Sequence, residues 1–236
     1  MNILFLYLRH SESKDDSALT RELSDEFSRN GNNITVVTIL EKKFKRETEY
    51  KIENGYEVLR VKTGNYFNVG NKIEKGITTL TMIPKLKRGI LKYLGDKKYD
   101  LIITHTPFLS DASLINPLKR YFKCPAHLIL WDIFPQNAKD IGVMKNNIIF
   151  NFFKQKEKKM FLAYDQIWCM SNGNIKYLQE KYEYLDKDKI KLLKNWAYIK
   201  PKLEITKEEI RKKYGYSEED FLAIFGGNMG KPQKLE

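Results

Sequence analysis

The sequence predicts an α/β fold: a doubly wound parallel sheet with helices on both faces. Three observations carry this expectation. Apolar runs of strand length recur through the first 200 residues, each separated from the next by polar or helical sequence. Within the runs the hydrophobicity is continuous rather than alternating, as expected of strands covered on both sides. The segments between them repeat apolar residues at helical spacing, and strands alternating with helices build a parallel sheet through crossovers.

The elements follow in order. "NILFLYL" (2–8) is a buried strand, and the polar loop "RHSESKDD" follows it. From residue 17 to 30, Leu19, Leu23 and Phe27 recur every fourth position and Gly31 closes the segment, which reads as an amphipathic helix with a C-terminal cap. "ITVVTIL" (34–40) is a second strand, and a charged connection leads to a third, "YEVLRVKT" (56–63). The helical stretch 72–97 contains Pro84, which should break it into two helices. "DLIITHT" (100–106), "AHLILWD" (126–132), "QIWCMS" (166–171) and "IKLLKN" (190–195) complete the series. Residues 1–200 are thus expected to form one domain and 201–220 a polar linker with a helix over "TKEEIRKKYG". Residues 221–236 open with "FLAIF", a strand followed by Gly226, Gly227, Gly230 and Lys231. That is how a phosphate-binding βα unit begins.

Composition narrows the function classes. The chain has 236 residues, 42% of them hydrophobic, enough for a full core. No apolar run approaches the roughly 18–20 residues of a membrane span and no signal peptide is legible, so a cytosolic location is expected. Cys124 and Cys169 form no metal or redox motif, and no metal is expected. The net charge of +12 points to an anionic partner. With 34 Lys against 8 Arg, base readout is disfavoured and nucleic acid is not expected. Residues 83–95 set Leu86, Ile90 and Leu94 on one stripe among Lys85, Lys87, Arg88 and Lys92, and 148–161 mixes aromatics with four lysines. Both patterns suit the inner face of an anionic membrane, and both suit any surface helix of a lysine-rich protein.

Ligands of open α/β sheets bind beyond the carboxyl ends of the strands. Those ends carry Arg9 and His10, His105 and Thr106, Asp132, and Ser171 and Asn172. Each also has a plain structural reading as a loop or cap residue, Ser171 above all as an N-cap. Asp132 stands out because it follows a buried run directly and precedes Pro135, where its surroundings can tune it. His127, inside its strand, reads as a core residue. The first turn lacks glycine, so the dinucleotide cradle is missing, and no GxSxG, HExxH or P-loop occurs.

Five stretches, "LRVKTGN" (59–65), "LILWDIFPQNAKDIGVM" (128–144), "CMSNGN" (169–174), "LLKNW" (192–196) and "IFGGNMGKPQ" (224–233), resemble the N-terminal half of a bacterial family 4 glycosyltransferase. The resemblance implies a GT-B fold, two Rossmann-like domains facing across a cleft with the acceptor on the first and the nucleotide-sugar on the second. It implies retaining transfer to a sugar hydroxyl in capsule or lipid-linked oligosaccharide synthesis, with no cofactor beyond the nucleotide-sugar substrate. Residues 221–236 would then be the start of a truncated donor domain, and the chain an acceptor-binding half, inactive unless a donor-domain polypeptide completes it. Asp132 and His105 are the candidate catalytic residues, with Arg9, His10, Thr106 and Asn172 as acceptor contacts. Gly226, Gly227 and Lys231 match the turn near the donor phosphates. The loop "HSESKDD" departs from the family, whose members often carry glycines there. The alternative is a non-enzymatic basic module that binds anionic membrane or nucleic acid.

Overall fold

β1 (Asn2–Tyr7) lies at the centre of the sheet, paired in parallel with β2 (Asn33–Glu41) on one side and β5 (Leu101–His105) on the other. The computed structural model describes residues 1–13, 18–106, 112–199, 204–227 and 230. β4 (Tyr56–Thr63) flanks β2, and β6 (Ala126–Leu130), β7 (Gln166–Cys169) and β8 (Ile190–Leu192) extend the other side. All of these pairs are parallel. β3 (Glu49–Glu53) adds the eighth strand, antiparallel to β4, and gives the order β3-β4-β2-β1-β5-β6-β7-β8.

The two faces are covered because strand side chains alternate with period two. Ile3, Phe5 and Tyr7 point to one face, where Leu23 and Phe27 of α1 (Leu19–Arg29) pack. Leu4 and Leu6 of β1, and Leu8 just beyond it, point to the other. There they meet Met82, Ile90 and Leu94 of α2 (Lys72–Leu94), Leu114 and Leu118 of α3 (Ala112–Phe122), and Met160 and Phe161 of α5 (Asn147–Ala163). Leu178 of α6 (Asn172–Lys181) joins the same cluster, and the short α4 (Gln136–Asp140) precedes α5. The doubly wound expectation holds.

Several local expectations change. The stripe of Leu86, Ile90 and Leu94 faces the sheet, at 5%, 0% and 0% exposure, so it is core and not a membrane face. α2 also runs unbroken through Pro84. The proline and Leu80, whose carbonyl loses its helical partner, are both exposed, and water can satisfy that carbonyl. The charged connection before β4 contains β3 and a two-residue turn, Asn54 and Gly55, with φ of 55° and 89°. Such left-handed pairs match the twist of a hairpin.

By internal contacts the chain divides into Met1–Ala197 and Tyr198–Glu236. In the second unit α7 (Lys207–Lys213) starts with a complete capping box between Thr206 and Glu209. Residues 221–225 are irregular and exposed, with Phe221 at 95% and Ile224 at 92%, not the expected strand. A strand needs a ladder partner, and the described residues of this unit offer none. Among the described residues, no helix is long and apolar enough to cross a membrane.

Candidate functional site

The chain leaves β1 to one side through α1 and β2 and returns to the other side through α2 and β5. The carboxyl ends of β1 and β5 therefore flank the point where the winding reverses, the usual ligand crevice of such sheets. Two adjoining cavities occupy it. One, of about 590 Å³, is lined by Arg9, Ser11, Tyr66, Phe67, His105 and Trp131 among others. The other, of about 370 Å³, shares Leu8, Arg9, Ser11 and Phe67 and adds His10, Lys43, Arg46 and Arg60.

The loop after β1 is pinned from beneath. Thr20 donates its hydroxyl to the Arg9 carbonyl at 3.2 Å, and Arg60 donates to the His10 carbonyl at 3.0 Å. Arg60 is itself 4% exposed and held by both carboxylate oxygens of Glu53, at 2.9 and 2.7 Å. His10 is buried, its Nε2 3.2 Å from the Tyr56 hydroxyl, which donates to Asp25 at 2.9 Å. Burial, then the charge of Arg60, lowers the His10 pKa to about 4. Opposite it, Glu41 accepts from the backbone amides of Tyr66 and Phe67 at 2.7 and 2.8 Å, fixing the aromatic wall. Burial alone would raise the Glu41 carboxyl, but Lys43 and those amides hold it below the ordinary value.

His105 is 8% exposed and its Nδ1 lies 2.7 Å from the Thr106 carbonyl. Burial lowers its pKa to about 4 as well. Thr106 is buried, and its hydroxyl oxygen accepts from the amides of Trp131 and Asp132, both at 2.9 Å. It therefore acts as a clamp between the ends of β5 and β6. Asp132 is solvent-open at the mouth, though the protein wall beside it raises its carboxyl pKa. Its side chain lines neither cavity.

The structure thus brings Arg9, His10 and His105 together, with Thr106 behind them and Asp132 joined through its backbone. Asn172 opens α6, exposed and outside both cavities, beneath the Ser171 cap, whose hydroxyl accepts from the Asn174 amide at 3.1 Å. Gly226 and Gly227 belong to the second unit, and Lys231 lies outside the described residues. Sequence reading missed Tyr66, Phe67 and Trp131 as lining, and Tyr56 and Asp25 beneath His10. A third cavity, of about 630 Å³, lies at the amino ends of the strands beside Asn2, Glu57, Lys97 and Tyr99. Within it Glu57 accepts from Lys97 at 2.6 Å and from the Thr35 hydroxyl at 2.8 Å, and none of the strand-end candidates lines it.

The chain is similar to an α,α-trehalose-phosphate synthase (UDP-forming) from Burkholderia vietnamiensis, with TM-score 0.52 and 14% identity over 78% of this chain and 43% of that one. It is similar to OtsA in its apo form, with TM-score 0.53 and 10% identity over 78% and 43%. A trehalose-6-phosphate protein from E. coli, bound with UDP-2-fluoro glucose, gives TM-score 0.50 and 11% identity over 73% and 40%. These neighbours are GT-B glycosyltransferases. The fold is a Rossmann-like GT-B domain. The chain spans less than half the length of these three structures. No family model and no curated protein sequence matches it.

Proposed function

We propose that this domain is the acceptor side of a glycosyltransferase that moves a sugar from a nucleotide-sugar to a hydroxyl of a lipid-linked sugar. The single observation that carries the reading is the paired cavity at the winding reversal, where two buried neutral imidazoles meet an aromatic wall of Tyr66, Phe67 and Trp131. Aromatic faces suit the apolar faces of sugar rings, and imidazoles suit their hydroxyls. In this reading His105 receives a hydrogen bond from the acceptor hydroxyl, Arg9 and Asp132 guide the acceptor at the mouth, and catalysis rests on positioning and on stabilising donor phosphate charge. The donor would be held by a partner domain of the kind the family 4 resemblance implies. Retention at the anomeric carbon and a role in surface polysaccharide assembly are part of the same proposal.

The lipid part rests on a second surface. Ile73, Ile77 and Leu80 on the first half of α2 are 74%, 58% and 79% exposed, and Ile148, Ile149 and Phe152 on the first turns of α5 are 81%, 49% and 56% exposed. Both helices run back from the carboxyl edge of the parallel sheet, so these residues sit at the edge that carries the cavities. Lys139 lies over Phe150 at 4.1 Å and Lys156 over Phe152 at 5.3 Å, an amphipathic pairing suited to an anionic interface.

Sedimentation with vesicles tests both parts. We expect salt-sensitive binding to anionic vesicles, strengthened when they carry a glycolipid with a terminal hexose. His105→Ala should remove the glycolipid gain and keep the rest, while Ile77→Asp with Phe152→Asp should weaken both, with Tm little changed. A glycolipid that adds nothing would sink the acceptor reading, and equal binding to neutral vesicles would sink the membrane reading.

A further inference from the structure

Three ring nitrogens around the cleft are buried and have no hydrogen-bond partner among the described residues: Nδ1 of His10, Nε2 of His105 and Nε1 of Trp131. Building on the acceptor reading above, we propose that these atoms form a recognition site for a neutral polyhydroxyl ligand, and that Tyr56 and Asp25 are positioning residues that fix the His10 tautomer.

The tautomers follow from the partners. A carbonyl can only accept, so at 2.7 Å from the Thr106 carbonyl the proton of His105 sits on Nδ1 and Nε2 is a bare lone pair. Tyr56 has one hydroxyl proton and gives it to the Asp25 carboxylate, which is also paired with Arg21. The phenol oxygen is then left to accept, so His10 donates from Nε2 and its Nδ1 is the bare nitrogen. Trp131 Nε1 can only donate.

The unsatisfied set is therefore two acceptors and one donor. A carboxylate would answer the indole alone, and an ammonium group would answer the imidazoles alone. A hydroxyl both gives and receives, so an alcohol satisfies either kind. Geometry asks for more than one. His105 and Trp131 line the same cavity with ring centroids 4.4 Å apart, while His10 lines the adjoining one. The Tyr7 ring lies between the imidazoles, 6.0 Å from His10 and 5.6 Å from His105. Burial keeps both histidines neutral at pH 7, so both lone pairs persist there. A sugar ring, with hydroxyls on adjacent carbons, is the ligand class that matches.

The test is long-range proton–nitrogen correlation on the full chain labelled with ¹⁵N-histidine at pH 7, with His10→Gln and His105→Gln used to assign signals. We expect His10 protonated only on Nε2 and His105 only on Nδ1. Tyr56→Phe should release His10 to a mixture of tautomers and leave His105 unchanged. A merely structural role for Tyr56 would not produce that selective change. Methyl α-D-glucopyranoside should move both bare nitrogens, and acetate, which can only accept, should move neither. His10 protonated on Nδ1, an imidazolium at pH 7, or Tyr56→Phe without effect on His10 would overturn the positioning role, and the wild-type spectrum decides even if that variant fails to fold. Nitrogens indifferent to the glycoside would overturn the recognition site. The tautomers are read with no acceptor lipid present, so this failure is distinct from failure of the vesicle experiment.

Discussion

A histidine held neutral by burial stabilises the folded state only while the unfolded chain is also neutral. His10 and His105 have folded pKa values of about 4 against an ordinary value of 6.5. Their contribution is complete above pH 6.5 and is lost as pH falls toward 4, by up to about 3 kcal/mol each. Glu41 and Glu53, whose pKa values are lowered from 4.5, lose theirs only below that point. The raised pKa of Glu157 works in the opposite direction, since protonating it relieves a cost. We therefore predict that urea midpoints fall between pH 6.5 and 4.5, and that His10→Gln and His105→Gln each flatten this fall. Parallel pH profiles for wild type and variants would contradict the burial account. Both histidines were legible at strand ends from sequence. Their supports were not, because Tyr56 and Asp25 lie 46 and 15 positions from His10 and meet it only through the sheet and α1. Trp131 closes an apolar run, a pattern that does not distinguish core from lining, and its ring lines the cleft.

At the scale of elements, the buried runs were legible because continuous hydrophobicity marks a strand covered on both faces. β3 escaped because "EYKIE" is a charged edge strand, as sheet edges tend to be. Its signal was nonetheless present in "NG" at 54–55, between runs able to pair as a hairpin. The seating of α2 on β4 depends on glycines rather than on pattern. A Cβ at Gly64 would stand 2.0 Å from the Thr78 hydroxyl oxygen, and one at Gly89 2.8 Å from Val61. Gly76, in the same helix, has nothing within 4 Å. Gly64→Ala should therefore destabilise by about 1–3 kcal/mol through overpacking. Gly76→Ala should stabilise by about 0.5–1 kcal/mol, since alanine restricts the unfolded chain. Thermal unfolding separates the two, and shifts of the same sign would contradict this packing. The periodicity that suggested a membrane face at 83–95 was real, but periodicity alone does not say which side of a helix meets the core.

For the whole molecule, the winding reversal ties the parts together. It places the ends of β1 and β5 side by side and gathers His10, His105 and the aromatic wall there. Because β4 and β6 run parallel, α2 and α5 begin at the same edge, where exposed isoleucines and lysines meet the solvent. The net charge of +12 belongs to the whole chain and favours its approach to an anionic surface without selecting an edge. The central claim is that this edge holds the sugar acceptor, and hydrogen–deuterium exchange with a soluble disaccharide glycoside tests it most directly. The account predicts slower exchange in 8–13, 64–68 and 128–133, with 31–35 and 97–99 at the opposite edge unchanged. Protection confined to 31–35 and 97–99, or none at saturating glycoside, would contradict it.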